Sequence, residues 1–276
     1  MNLVIQGEAL TPDQLGELVA LVQANHVVTL GAHAYRLTGA AETAAAEPWC
    51  AQRRLDFAWV PDDRRLQDLR LVAMDMDSTL VTIESIDEMG DLLGIRDRIA
   101  AITRRAMRGE LDYPASLRER VALLAGLEEQ ALERICEERM ALSPGAEALV
   151  LRCRREGIRT LLVSGGFNFF TAWLQQRLGI DDVLSNVLEI RDGRLTGRVL
   201  GNIVDGNAKA AKLRDEIALL GISESQVLAI GDGANDIPMM AIAGLSVAYR
   251  AKPLVREHAT HVLDHAQLDG VLNLFL

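Results

Sequence analysis

Cysteine is scarce in this chain. Cys50, Cys136 and Cys153 are the only three in 276 residues, and none stands in a Cys-x-x-Cys pair. That argues against a disulfide framework or a zinc knuckle and suits a reducing compartment. Positive charge is also short: 29 Lys and Arg face 39 Asp and Glu, a net charge of -10. A general nucleic-acid binder needs a basic face, so that class is disfavoured, whereas a small anion held in a locally positive site is not. The runs Arg104-Arg105 and Arg152–Arg159 read as solvated helix faces. No apolar stretch is long enough to span a bilayer. The start, Met1–Gly7, has no basic segment followed by a long apolar one, so no signal peptide is expected and the expected location is the cytoplasm. There is no internal repeat, and no low-complexity tract beyond an Ala-rich stretch at 40–46. What remains, 49% apolar and 25% charged, is ordinary for a soluble globular protein, and long enough for a large core plus a smaller unit.

Residues 1–70 read as a small α+β unit. Leu3–Ile5 and Val27–Leu30 are β-like runs flanking a helical pattern at about 12–24. Leu55–Val60 is a further apolar run, and Pro61-Asp62-Asp63 a turn. From residue 71 the pattern changes to strand, helical region, strand, helix. Strands are predicted at Leu71–Met74, Ile158–Val163, Val227–Ile230 and Leu245–Ala248. Strands alternating with helices imply an α/β fold, with a parallel sheet covered on both faces. Residues 85–140 are too long for a simple crossover and read as a helical cap over the sheet edge. Ser143 is the expected N-cap of the next helix, with Pro144 at its first position.

Ligands bind such sheets at the carboxyl ends of the strands. Three of these ends carry polar clusters: Asp75-Met76-Asp77-Ser78-Thr79, Ser164-Gly165-Gly166 and Gly231-Asp232-Gly233-Ala234-Asn235-Asp236. Asp is a poor strand former and two close anions repel. A metal ion, a Lys, or both should therefore sit beside Asp75 and Asp77. Each cluster alone has a plainer reading. The first could be a turn, the second a loop, and the third a turn or a calcium loop without its bidentate Glu. Lys209 competes with Lys212, and either could be a solvated helix residue. Glu84 and Arg120 alone would be surface charges. Met107, Tyr113 and Phe167 by default are packing residues. His258, His261 and His265 recur at helix-like spacing, but no acid or Cys completes a ligand set with them.

Taken in order, the three clusters and Lys209 resemble the motifs of the haloacid dehalogenase superfamily of phosphatases. The stretch from Glu84 through the cap is similar to its phosphoserine phosphatase family. The resemblance covers about residues 70–276. It implies a Rossmannoid core with a helical cap and a phosphatase using Mg2+, with Asp75 as nucleophile through an aspartyl-phosphate. Asp77 would be the general acid and base. The metal would be held by Asp75, Asp232 and the backbone carbonyl of Asp77, with Asp236 supporting it from behind. Ser164, Gly165, Lys209 and Asn235 would bind the phosphoryl group. Glu84 would take the substrate ammonium and Arg120 its carboxylate, while Met107, Tyr113 and Phe167 line the pocket. Met76 stands where the family commonly has Phe, an apolar exchange in a buried slot.

The implied reaction is hydrolysis of O-phospho-L-serine, the last step of L-serine biosynthesis. Two rivals stay open at this point. One keeps the chemistry and changes the partner: transfer to another alcohol such as homoserine, or a different small phosphate ester. The other is a binding or regulatory homologue without turnover. The expected partner is the small substrate, not nucleic acid or membrane. The first 70 residues are open to effector binding or to assembly of a homodimer.

Overall fold

The computed structural model describes residues 1–276. It opens with β1 (Asn2–Gly7), α1 (Pro12–Val22), β2 (His26–Gly31), β3 (Ala34–Thr38), α2 (Ala46–Ala51) and β4 (Leu55–Val60). The strands form an antiparallel sheet in the order β2-β3-β1-β4. Helix α1 starts with a reciprocal cap, in which the Thr11 hydroxyl accepts from the Gln14 amide and the Gln14 side chain accepts from the Thr11 amide. Alternation in β1 explains the packing. Leu3 and Ile5 meet Leu18, Val22 and Cys50 on the helix side, and Val4 faces the main core. Each predicted run in this region is a strand or helix; β3 was not foreseen.

The second sheet has seven strands in the order β11-β10-β9-β5-β6-β7-β8. Their spans are β5 (Leu71–Met74), β6 (Arg159–Phe167), β7 (Asp182–Arg191), β8 (Arg194–Leu200), β9 (Val227–Gly231), β10 (Leu245–Tyr249) and β11 (His261–Leu263). All pairs are parallel except β7 with β8. That pair is a hairpin turning on Asp192-Gly193, both at positive φ (50° and 71°), the geometry a two-residue hairpin turn requires. The cap comprises α3 (Ser85–Leu92), α4 (Arg96–Met107), α5 (Tyr113–Ala122) and α6 (Glu129–Arg134), followed by a helical turn to Arg139. The core helices are α7 (Ala146–Arg155), α8 (Asn168–Leu178), α9 (Gly206–Leu220), α10 (Ile237–Met240) and α11 (Pro253–Arg256).

One local expectation fails. The N-cap of α7 is Gly145, not Ser143, and Gly145 enters the helix at φ 85°. Ser143 lies two residues ahead of that cap, its carbonyl accepting from the Ala146 amide in the turn that leads into the helix and its own amide donating to the Leu80 carbonyl next to the Val81–Leu142 bridge. The histidines also disappoint the helical spacing: His258 is exposed and His261 lies on β11.

The first sheet is docked onto the C-terminal segment. The buried Asp56 carboxylate accepts from the amides of Asp264, His265 and Ala266 at 2.8–2.9 Å. Gln6 donates to the Gly270 carbonyl, and Asn273 donates to Gln6. No helix is long and apolar enough to cross a membrane.

Candidate active site

Strand order brings the three clusters together. β5 lies between β9 and β6, so Asp75 at its tip stands between the loop after Gly231 and the Ser164 loop. β6 continues through Ser164-Gly165-Gly166, but its ladder to β7 is interrupted between Val163 and Phe167. The interruption frees the loop's polar groups. A Cβ on Gly166 would come within 2.6 Å of the Met76 methyl and 3.0 Å of the Asp77 carboxylate and the Ser164 hydroxyl, so any side chain here would push into the groups around Asp77. The Ser164 hydroxyl accepts from the Gly166 amide at 2.8 Å.

Beneath these loops lies a buried charge cluster. Lys209 projects from the first turn of α9, which is capped by Asp205 accepting from the Ala208 amide. Its side chain is fully buried, 2.8 Å from Asp75 Oδ1 and 2.7 Å from Asp236 Oδ1. Burial works against its charge, but Asp236 and Asp75 outweigh that and hold the ammonium above the ordinary lysine value. Asp236 Oδ2 accepts from the amides of Asp232 and Gly233, which pulls the loop tight. Thr79 donates to Asp232 Oδ1 at 3.1 Å, and Lys252 Nζ is 3.8 Å from its other oxygen.

Carboxylate oxygens of Asp75, Asp232 and Asp236 lie within 4.8 Å of one another. Burial, then Asp236, pushes the Asp75 carboxyl well above its usual range. Burial and Asp236 likewise push Asp232 up to about 6. Three buried acids against one buried lysine leave negative charge in excess. An all-oxygen donor set with that excess fits a hard divalent cation.

Asp77 is held apart from this cluster. Its carboxylate accepts from the Ser85 amide (3.1 Å) and hydroxyl (2.9 Å). Burial and the neighbouring Glu84 push it up to about 7, against the pull of Ser85. Ser78, at φ 56°, turns the chain so that its hydroxyl donates to Glu84 at 2.9 Å.

A cavity of about 1030 Å³ opens above the strand ends. Asp75, Asp77, Glu84, Ser164, Gly165, Asp232 and Asn235 line its core side, and Tyr113 and Arg120 its cap side. Arg120 has no carboxylate partner; its Nε donates to the Ser116 carbonyl. Phe167 is buried in the wall, whereas Met107 is 75% exposed and stands at the mouth. Lys209 and Asp236 lie under the floor. Lys212 points elsewhere, to Asp182 and Glu216. Thus the predicted residues converge, and Lys209 rather than Lys212 faces Asp75. Sequence reasoning passed over Ser85, Lys252 and Asn186. The buried Asn186 donates to the Gly165 carbonyl at 2.8 Å and accepts from the Val204 amide. Only the hydroxyl of Thr79 had a local signal, its place just after the acids.

Residues 72–241 match the family model for haloacid dehalogenase-like hydrolases. The chain belongs to this family. Residues 3–46 match a second model, described as a domain of unknown function (DUF4072). Among curated relatives, a phosphoserine phosphatase of Albidiferax ferrireducens is 52% identical over 216 residues, covering 76% of this chain and 91% of the relative. A crystal structure of a probable phosphoserine phosphatase from Vibrio cholerae superposes with a TM-score of 0.87 at 36% identity, over 99% of this chain and 85% of that one. A substrate-bound phosphoserine phosphatase complex superposes with a TM-score of 0.71 at 36% identity, over 75% of this chain and 99% of that one.

Proposed function

We propose that the chain is a phosphoserine phosphatase, hydrolysing O-phospho-L-serine to L-serine and phosphate. The observation that carries this reading is the pairing of two features across one cavity. Asp75 sits against Lys209 on the floor, and the acid Glu84 and the unpaired Arg120 occupy the walls. Phosphoserine has matching parts: a phosphate, an ammionium-bearing carbon and a carboxylate. In a cell this would be the last step of serine synthesis, in the cytoplasm.

An Asp75 oxygen attacks phosphorus and forms the aspartyl-phosphate, while the bond from phosphorus to the serine oxygen breaks. Asp77, a carboxyl that keeps its proton close to neutrality, gives that proton to the leaving oxygen. In the second half Asp77 takes a proton from water as its oxygen attacks phosphorus, and the Asp75 carboxylate is released with inorganic phosphate. Ser164, the Gly165 region and Asn235 orient the phosphoryl oxygens, and Lys209 keeps a positive charge against Asp75 throughout. The proposed cation is magnesium, held by Asp75, Asp232 and the Asp77 carbonyl with Asp236 behind. When bound it offsets the repulsion between Asp75 and the phosphate dianion.

The deciding experiment is phosphate release from a panel of small phosphate esters, with and without magnesium and with homoserine as competing acceptor. Phosphoserine should be the best substrate, and a chelator should abolish turnover until magnesium is restored. Phosphoryl transfer to homoserine exceeding release to water would make the chain a transferase instead. Arg120→Ala should lower kcat/KM for phosphoserine by about a hundredfold and for an aryl phosphate only slightly. Equal losses would remove Arg120 from substrate selection.

A further inference from the structure

The α4–α5 arm of the cap is tied to the rest of the molecule unevenly. Beyond the carboxyl end of α5 the chain is pinned to the β7–β8 hairpin. There the Gly126 amide donates to the Leu195 carbonyl, the Leu195 amide to Leu127 and the Glu129 amide to Gly193, at 2.8–2.9 Å. The amino end is different. Residues 96–122 make a single hydrogen bond to any residue outside the cap, from the Tyr113 hydroxyl to the Gly165 carbonyl at 3.2 Å. Tyr113 is the first residue of α5, and Arg120 follows it by seven positions, two turns along the same face.

The acceptor is itself fixed. Asn186 of β7 donates to the same Gly165 carbonyl at 2.8 Å, and its own carbonyl accepts from Val204, just ahead of the helix that carries Lys209. A Cβ on Gly165 would lie 2.2 Å from the Tyr113 oxygen, so only glycine lets the hydroxyl reach this carbonyl. The carbonyl is thus a junction where the core, through Asn186, and the cap, through Tyr113, grip one peptide of the phosphate loop.

We propose that the Tyr113 hydroxyl is a positioning residue: it latches the free end of α5 to the phosphate loop, so that the wall carrying Arg120 and the floor carrying Ser164 close as one unit. Packing of the ring would explain an aromatic side chain here, but not a hydroxyl aimed at the one carbonyl that Asn186 also holds. Burial pushes the phenol up to about 12, which keeps it a donor at any working pH.

Tyr113→Phe retains the ring and deletes the latch. The first readout is independent of catalysis: tryptic cleavage at the exposed Arg108, together with amide exchange in the first turn of α5, on the substrate-free protein. Both should accelerate by about three- to tenfold, the worth of one neutral hydrogen bond, while the melting temperature stays within a degree or so. The second readout rests on the proposed substrate. KM for phosphoserine should rise by about the same factor, and by more than KM for an aryl phosphate, which lacks the groups that Arg120 would hold. Unchanged cleavage and exchange would overturn the latch whatever the kinetics. Faster opening with unchanged KM would keep the latch but overturn the joint closing of floor and wall, leaving the phosphatase reading to stand on its own panel.

Discussion

Two buried aspartates in this molecule have opposite surroundings. Asp75 lies at the sheet's carboxyl edge against two other acids and one lysine. Asp56 lies on the first sheet, under the C-terminal segment, where three backbone amides meet its two oxygens. Burial pushes both carboxyls up. At Asp56 the three amides offset part of that cost. At Asp75 neighbouring acids add to it, and the lysine only partly answers them. A buried acid whose hydrogen bonds close locally is structural; one left in charge excess at the floor of a cavity is a place for a cation and a phosphate.

The sharpest test of that contrast is Asp75→Asn. Phosphate release should fall by at least about a thousandfold, with no phosphoenzyme trapped on acid quenching. The metal-free protein should melt no lower than wild type, because the change relieves the crowding of three buried acids while the amide oxygen can still accept from Lys209. Residual turnover near the wild-type rate would refute the nucleophile. A large fall in melting temperature would instead put Asp75 in the same class as Asp56.

Next in size is Lys209→Met, which leaves the floor acids without their buried partner. A loss of about 3–5 kcal/mol is expected on urea unfolding of the metal-free protein, partly restored by magnesium. Lys212→Met, three residues along α9, should cost about 1 kcal/mol or less, since its pairs are partly exposed and Glu216 keeps Arg159. Similar costs for the two lysines would mean that the floor is no more demanding than the flank.

That pair of lysines also marks where the sequence stops being readable. The strand tips at 75, 164 and 232 were legible because an apolar run followed by acids or glycines is a local pattern. The convergence was legible because a parallel sheet puts such tips on one edge. The choice of Lys209 over Lys212 depends on which side of α9 meets Asp75, and the motif resemblance supplied it before the packing did. Ser85 and Asn186 have no local signature at all; their importance lies in bonds to residues 8 and 21 positions away. The β7–β8 hairpin was missed although Asp192-Gly193 announces it, because β8 (Arg-Leu-Thr-Gly-Arg-Val-Leu) is too polar to stand out as a strand. Ser143 was misread as a cap because the Pro144-Gly145 turn delays the helix to Ala146, with Gly145 at φ 85° as the cap.

On the structural side of the comparison, Asp56→Ala removes an acceptor from three buried amides. It should cost about 2–4 kcal/mol of stability by urea unfolding, while kcat/KM of the folded fraction stays near wild type. A selective loss of activity without loss of stability would show that the docking of the first sheet serves the site and would erase the distinction between the two aspartates.

The smallest effect should be a pH dependence confined to that docking region. His261, on β11, has its Nε2 3.5 Å from an Arg64 nitrogen. Burial, and then the Arg64 charge, lower its pKa from 6.5 to about 4. Between those values the unfolded chain takes up a proton that the folded chain refuses. Stability contributed by the neutral imidazole is therefore intact above pH 6.5 and is lost as pH falls toward 4, by at most about 1.4 kcal/mol per unit. Asp56 nearby has the opposite sign, since its raised pKa makes the folded carboxyl accept a proton more readily than the unfolded one. The difference between wild type and His261→Asn isolates the imidazole. The variant's unfolding free energy, followed by urea titration from pH 7.5 to 4.5, should decline less steeply than that of wild type. Parallel curves would mean that the imidazole charges freely in the folded protein.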